Sequence, residues 1–218
     1  MAALTFPYSL ASFADLLKIQ SVKWAFQRND QIDGLENGQI LSSETAPPLR
    51  KGTVNIAPLR YDEDSEISAL IEALDGSRNS FMLYGPPRLY PAADPGGSIL
   101  GAATVTISAL NVNNKQLTLA GLPVGYKLTR GDFIQFPFGP GGILNAYHRI
   151  VQTVVADGSG HAEIELRPHL YPGTVTTTVV TLIKPAARVI MVPNSYDEGT
   201  VQGQWVNGKK FDVIERIK

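Results

Sequence analysis

The sequence predicts a mainly β protein: an N-terminal β-barrel with one packed α-helix, completed by C-terminal strands, and an inserted second β-barrel or sandwich domain. Short alternating runs separated by glycine turns fill residues 125–185, a pattern typical of antiparallel sheet. The clearest helical stripe lies in residues 64–74. The 218 residues include 20 Gly and 15 Pro, and only 18% are charged, which favours a turn-rich β protein whose surface other chains partly cover.

The N-terminal third is predicted to begin with helical turns and two strands. Residues 9–17 indicate one or two helical turns, and polar and apolar residues alternate over 22–27, as in a strand with one buried face. Residues 29–49 are largely polar and contain Asp-Gly and Asn-Gly turn signals, so we expect a long hairpin or extended arm rather than core. Alternation resumes over 52–56, and a further strand is predicted at 80–84.

The helix is predicted from Asp64 to Leu74. Its apolar stripe has i, i+3, i+4 and i+7 spacing and consists of Ile67, Leu70, Ile71 and Leu74. Acidic residues over 62–66 lie where the helix dipole favours negative charge, and Gly76 suits a left-handed C-terminal cap. We expect Leu70 to be a core residue.

The second half is predicted to be a series of strands. A Pro- and Gly-rich stretch at 85–98 marks a domain boundary or crossover. Beyond it, β-branched and aromatic runs predict strands at 104–107, 117–119, 132–138, 147–155, 162–166, 175–183, 188–192 and 211–217. The expected domains are 1–95 with 186–218, and an insert at 96–185.

Four short motifs occur in order over residues 125–185. They are Leu128-x-x-Gly131-Asp132, Ala156-Asp157-Gly158-x-Gly160, Pro168-x-Leu170, and Val180-x-Leu182-x-x-Pro185. In this order they resemble the β-domain of tailed-bacteriophage tail-tip proteins. The N-terminal order of strand, long hairpin, strand, helix and strand resembles the barrel of distal tail proteins in the same family.

The resemblance implies a structural role rather than catalysis. It implies a distal tail protein that forms a ring, with a hexamer expected, and connects the tail tube protein to the hub and other tail-tip proteins. Residues 1–95 with 186–218 would be the ring-forming, tube-attachment domain. The implied location is the virion tail tip, assembled in the host cytoplasm. A baseplate hub or minor tail protein, and a carbohydrate-binding module that docks on host surface glycans, remain alternatives.

Few residues are candidates for chemistry, and we expect no catalytic, cofactor-binding or metal site. The three histidines, His148, His161 and His169, lack the spacing of a zinc site. The acidic run 62–66 lacks the ligand pattern of a calcium loop, so we expect helix capping. Single alanine replacements of the histidines, Asp132 and Asp157 are expected to leave assembly intact.

Other motifs also favour structural roles. Asp132 and Asp157 lie at predicted turns, where aspartate bonds to backbone N–H groups. Glu163 and Glu165 are expected on the solvent face of one strand, rather than as a glycosidase pair. The stretch Gly139-Pro140-Gly141-Gly142 lacks the following lysine of a phosphate loop. A sugar platform has four aromatic candidates, Trp24, Trp205, Tyr147 and Tyr171, although aromatic residues in β-domains more often fill cores.

Charge and composition limit the partners. The net charge of −1 argues against a general nucleic-acid binder, and the basic doublets Arg50-Lys51 and Lys209-Lys210 are expected to be solvated. With no cysteine, disulfides and thiolate sites are excluded. No signal peptide is apparent in residues 1–20, and no run of 18 apolar residues predicts a transmembrane helix.

Overall fold

The computed structural model describes residues 4–34 and 36–217. The described chain is mainly β, with a curled half-barrel sheet and one α-helix, which confirms the predicted fold class. The elements are β1 (Ile19–Gly34), β2 (Ile40–Ile56), β3 (Leu59–Arg60), α1 (Tyr61–Glu72), β4 (Phe81–Tyr84), β5 (Thr106–Leu110), β6 (Gln116–Ala120), β7 (Lys127–Leu128), β8 (Phe133–Phe138), β9 (Leu144–Ile150), β10 (Val154–Val155), β11 (Ala162–Arg167), β12 (Ala186–Met191), β13 (Thr200–Gln202), β14 (Trp205–Asn207) and β15 (Lys210–Glu215).

Residue contacts divide the described chain into two compact units. Unit 1 contains residues 4–18, 80–189 and 217, and unit 2 contains residues 19–79 and 190–216. The expected bounds were 1–95 with 186–218, and 96–185, so this grouping differs at residues 4–18, 80–95, 186–189 and 217. For residues 88–92 hydrogen bonds explain the difference, because the Asp132 carboxylate accepts from Arg88 Nη1 and from the Ala92 N–H.

Unit 1 contains a five-stranded antiparallel sheet in the order β5-β6-β11-β9-β8. Its inward residues alternate along each strand; in β11, Ala162, Ile164 and Leu166 are buried. They join one apolar cluster with side chains such as Leu119, Phe136 and Ile150. This alternation is the period of two from which the strands were predicted.

Residues 177–181 link the two edges of that sheet. The Thr177 N–H donates to Ile107 O on the β5 side, and the Thr181 N–H donates to Gln135 O on the β8 side. The sequence predicted a continuous strand at 175–183, but the structure has only isolated bridges there. Thr177 adopts a positive φ of 67°, which interrupts extended backbone.

Unit 2 is organised around β2. β1 pairs with β2 from Ile19↔Ile56 to Gly34↔Ile40, while β15 pairs with the other edge of β2 only at residues 51–55. Gly52 is required where these strands meet, since a Cβ there would lie 3.0 Å from Trp24 Cε3 and 3.3 Å from Val213 Cγ2. The Trp24 indole therefore covers this glycine.

Helix α1 begins earlier than predicted, at Tyr61 rather than Asp64. The Arg60 N–H donates to the Glu63 carboxylate at 3.2 Å, and the acidic first turn complements the helix dipole. Ile67, Ile71 and Leu74 are buried as expected. Leu70 is only half-buried, so its expected place in the core is wrong; it lies at the margin of the stripe.

We expect Ile71→Ala to destabilise unit 2 by about 2–5 kcal/mol, because Ile71 is 1% exposed and its truncation leaves a cavity. Leu70→Ala in the same helix is the matched control and should cost clearly less. Urea unfolding of both variants measures the difference. Equal losses would contradict this assignment of the core.

Candidate functional site

The most conspicuous candidate for an interaction site is the outer part of the β1–β2 hairpin. We call residues 29–49 the arm. Its strands pair as far as Gly34↔Ile40, so of the two forms expected from the sequence the structure has the hairpin. All described residues from 30 to 45 are exposed. Since β15 pairs with β2 only at residues 51–55, both edges of the arm lack a third strand among the described residues.

The arm exposes large apolar side chains, which have no structural role in a ribbon surrounded by water. Ile32 is 69% exposed, Ile40 71% and Leu41 50%. The register places Ile32 opposite Ser42 and Ile40 opposite Gly34, so both isoleucines lie on one face of the ribbon. An isolated two-stranded hairpin is at best marginally stable in water, and a partner surface on this face would stabilise it.

A buried ionic group lies at the base of the arm. The Arg50 N–H donates to Glu215 Oε2 at 3.1 Å, and the Arg50 guanidinium lies 4.4 Å from the centre of the Phe26 ring. Burial raises the pKa of Glu215 to about 7, against the opposing effects of the Arg50 charge and N–H. Arg50 is 1% exposed, so the expectation that this basic doublet is solvated is wrong at Arg50.

Lys209 is the second buried cation of unit 2 that the sequence suggested was solvated. Its Nζ lies 2.5 Å from Asp64 Oδ1 and donates to Ser68 Oγ at 2.7 Å and Tyr196 Oη at 3.1 Å. Burial alone would lower the pKa of Lys209, but the hydrogen bonds to Asp64 and Tyr196 raise it above its ordinary value. A lysine that stays protonated fastens α1 to the C-terminal strands and does not act as a nucleophile.

Asp132 is a buried structural residue of unit 1. It is 1% exposed, and its carboxylate accepts from Arg88 Nη1, Ala92 N and Thr129 N at 2.9, 2.9 and 2.7 Å. The Thr129 bond is the turn interaction predicted from the sequence. The bonds to 88–92 were not predictable from local sequence.

Asp94 has a similar role, which the sequence did not indicate. It accepts from the N–H groups of Ile99 and Leu100 and from Tyr126 Oη. Burial would raise the pKa of Asp94, but the two backbone N–H donors and the tyrosine hold it below its usual value. Asp94 therefore has enough donors to remain ionised without a ligand.

The three histidines do not form a common site. His148 is fully buried, with Nδ1 3.0 Å from Pro168 O and its ring stacked on Phe136. His161 and His169 are exposed. The expectation that all three tolerate alanine therefore changes for His148, since its truncation would empty a packed site. Within residues 4–34 and 36–217, no group of three or more His, Asp or Glu is placed to hold a metal ion.

The remaining polar candidates have local roles. Asp157 Oδ1 accepts from the N–H groups of Ser159 and His161 in an exposed turn, which holds the pKa of Asp157 below its usual value. Glu163 and Glu165 share the outer face of β11, where Glu165 pairs with Arg167 at 2.6 Å. Glycines 139, 141 and 142 take positive φ in a tight turn, and no α-helix follows them in the described residues up to 217.

The four aromatic candidates do not form a sugar platform. Tyr147 and Tyr171 are 0% and 5% exposed in unit 1, and Tyr147 stacks on Phe133 with ring centroids 4.8 Å apart. In unit 2, Trp24 covers Gly52, and only Trp205 is substantially open, at 50%.

The comparisons with known proteins add no relative. No protein-family model matches the sequence, and a search of curated proteins finds no match. None of the helices in the described part of the chain has the length and apolar character required to cross a membrane.

Glu215 should make the stability of unit 2 depend on pH. The unfolded chain ionises this carboxyl near its ordinary pKa of 4.5, whereas the folded protein does so near 7. The contribution of Glu215 to stability is therefore present at low pH and is lost as pH rises from 4.5 to 7, a change of about 3 kcal/mol. Relative to Glu215→Gln, the wild type should lose about that much between about pH 4 and pH 8 in urea unfolding. Parallel profiles would contradict the raised pKa.

Asp132→Ala should destabilise unit 1 by roughly 2–4 kcal/mol, because Arg88 and two backbone N–H groups lose their buried acceptor. Asp157→Ala, at an exposed turn, is the control and should shift the melting temperature much less. Calorimetry of both variants measures the contrast. If Asp132→Ala melts like the wild type, the carboxylate does not hold residues 88–92.

Proposed function

We propose that this chain is a structural component of a phage tail tip: a distal tail protein whose copies form a ring between the tail tube and the hub. The ordered motifs of residues 125–185 support this identity. Within the described part of the chain, buried carboxylates, Lys209 and His148 have structural partners, which favours an assembly role over catalysis.

The observation that carries the assembly role is the arm. Its residues 30–45 are exposed wherever described, yet they include Ile32, Ile40 and Leu41. A ribbon of this length has no internal core, and exposed strand edges invite pairing with other chains unless they are protected. Contact with another subunit would cover both the apolar side chains and the edges.

The alternatives make different demands on the molecule. A hub or minor tail protein with the same β-domain would contact other tail proteins rather than close a ring of its own copies. A glycan-binding module needs an exposed aromatic platform, but Tyr147 and Tyr171 are buried and Trp24 is half-buried against Gly52. The geometry therefore favours an assembly role over glycan binding, while the order of the N-terminal elements supports the distal tail protein over the hub.

Removing the arm should abolish self-assembly without unfolding the chain. The test variant replaces residues 28–48 by Asn-Gly, because Gln27 and Leu49 are paired and Asn-Gly suits a two-residue hairpin. We expect a folded monomer, whereas the full chain forms a ring alone or with tail tube protein. Sedimentation velocity and circular dichroism measure mass and folding.

An arm-less variant that still assembles would show that the arm is not the connector. The genes that flank the coding sequence provide an independent test of the class, since a tape-measure gene just upstream is expected for a distal tail protein. Binding of the full chain to a glycan array without self-assembly would favour the glycan-binding alternative.

A further inference from the structure

Two acidic side chains face each other directly across the arm. Asp30 lies opposite Glu44 in the β1–β2 ladder, and both are exposed. Like charges directly opposite in an antiparallel pair are destabilising. Arg28 Nε lies 3.7 Å from Asp30 Oδ2 and partly offsets this repulsion, but no described cation forms an ion pair with Glu44. By strand alternation this pair lies on the face of the arm that carries Ile32 and Ile40.

A basic pair with the same arrangement occurs on unit 1. Arg149 of β9 lies directly opposite Arg167 of β11. Both point outward, because their neighbours Ile150 and Leu166 are fully buried. Arg167 pairs with Glu165 at 2.6 Å, whereas Arg149 has no carboxylate partner among the described residues and lies 4.7 Å over the Phe133 ring. Each like-charged pair therefore has one compensated and one uncompensated member.

The wider charge distribution has the same asymmetry. The described residues of unit 1 include nine Lys or Arg and six Asp or Glu, a net charge of +3. Unit 2 has nine and fourteen, a net charge of −5. The arm itself contains four carboxylates and neither lysine nor arginine. Complementary potentials of this kind set orientation and partner choice at interfaces.

We propose that the acidic face of the arm docks on unit 1 of a second copy of this chain, with Glu44 of one copy against Arg149 of the next. This inference rests on the proposed ring and identifies its contact. Because Arg149 lies in the expected insert 96–185, the ring would then be formed by the insert as well as by residues 1–95 with 186–218. The contact joins two different surfaces, so it is head-to-tail, and repeated around a closed rotation it generates a ring. Docking places one opposite charge beside each like-charged pair, and Ile32 and Ile40 are covered by the same surface.

Charge reversal tests the contact in the full-length chain. Glu44→Arg and Arg149→Glu should each weaken self-association on the order of tenfold or more, because each places like charges in contact. An equimolar mixture of the two variants should associate again, because positions 44 and 149 carry opposite charges at every contact between unlike copies. Only a contact between copies gives recovery on mixing. Matched controls with equal changes in net charge are Glu36→Arg at the arm tip and Lys115→Glu on unit 1.

Analytical ultracentrifugation at low and physiological salt measures each outcome. Recovery in the mixture, with both controls like the wild type, supports the contact. Two single variants that associate like the wild type, or a mixture no stronger than its components, would overturn the contact and leave the ring intact. A wild-type chain that stays monomeric alone and with tail tube protein would overturn both the contact and the proposed ring.

Discussion

The pairing of β2 is the constraint on which the rest of unit 2 depends. Between residues 51 and 55 this strand is hydrogen-bonded on both edges, to β1 and β15, and its inward side chains Val54 and Ile56 are buried. From Leu49 outward it pairs with β1 alone. The buried part of β2 anchors the hairpin, and the β1–β2 ladder continues from there into the exposed arm. A partner can therefore bind the arm without disturbing the core.

Arg50 lies where the part of β2 that is paired on both edges gives way to the two-stranded arm, and its burial there has a cost in free energy. It is buried together with Glu215, and a buried carboxylate is stable only when donors and charge offset its desolvation. Here the offset is incomplete, so the pKa of Glu215 rises to about 7. In unit 1 the desolvation of the buried carboxylates is offset more fully, because Asp94 and Asp132 each accept hydrogen bonds from several N–H or O–H donors. The base of the arm is consequently the place where proton uptake and local stability are coupled.

The sequence predicted features that local periodicity controls and missed those that depend on distant partners. Alternation in β11 and the apolar stripe through Ile67 and Ile71 predicted the correct buried faces. The strand period of two and the helical period of 3.6 can both be read from residues close together in sequence. The burial of Arg50 and Lys209 was not predictable, because the carboxyl groups near them, Glu215 and Asp64, are far away in sequence. For the same reason the sequence showed Asp132 as a turn residue but not as the acceptor for Arg88. The arm was predictable in position because its polar composition excludes it from a core.

The like-charged pairs Asp30–Glu44 and Arg149–Arg167 connect the fold to the proposed assembly. Each pair costs free energy in the isolated chain, and within one chain each is only half relieved, by Arg28 and by Glu165. A protein that stayed monomeric would gain stability by replacing Glu44 or Arg149 with a neutral residue. Two uncompensated charges of opposite sign, one on an exposed ribbon and one on a five-stranded sheet, suit the proposed interface between copies, because the charges that destabilise the monomer would attract one another there.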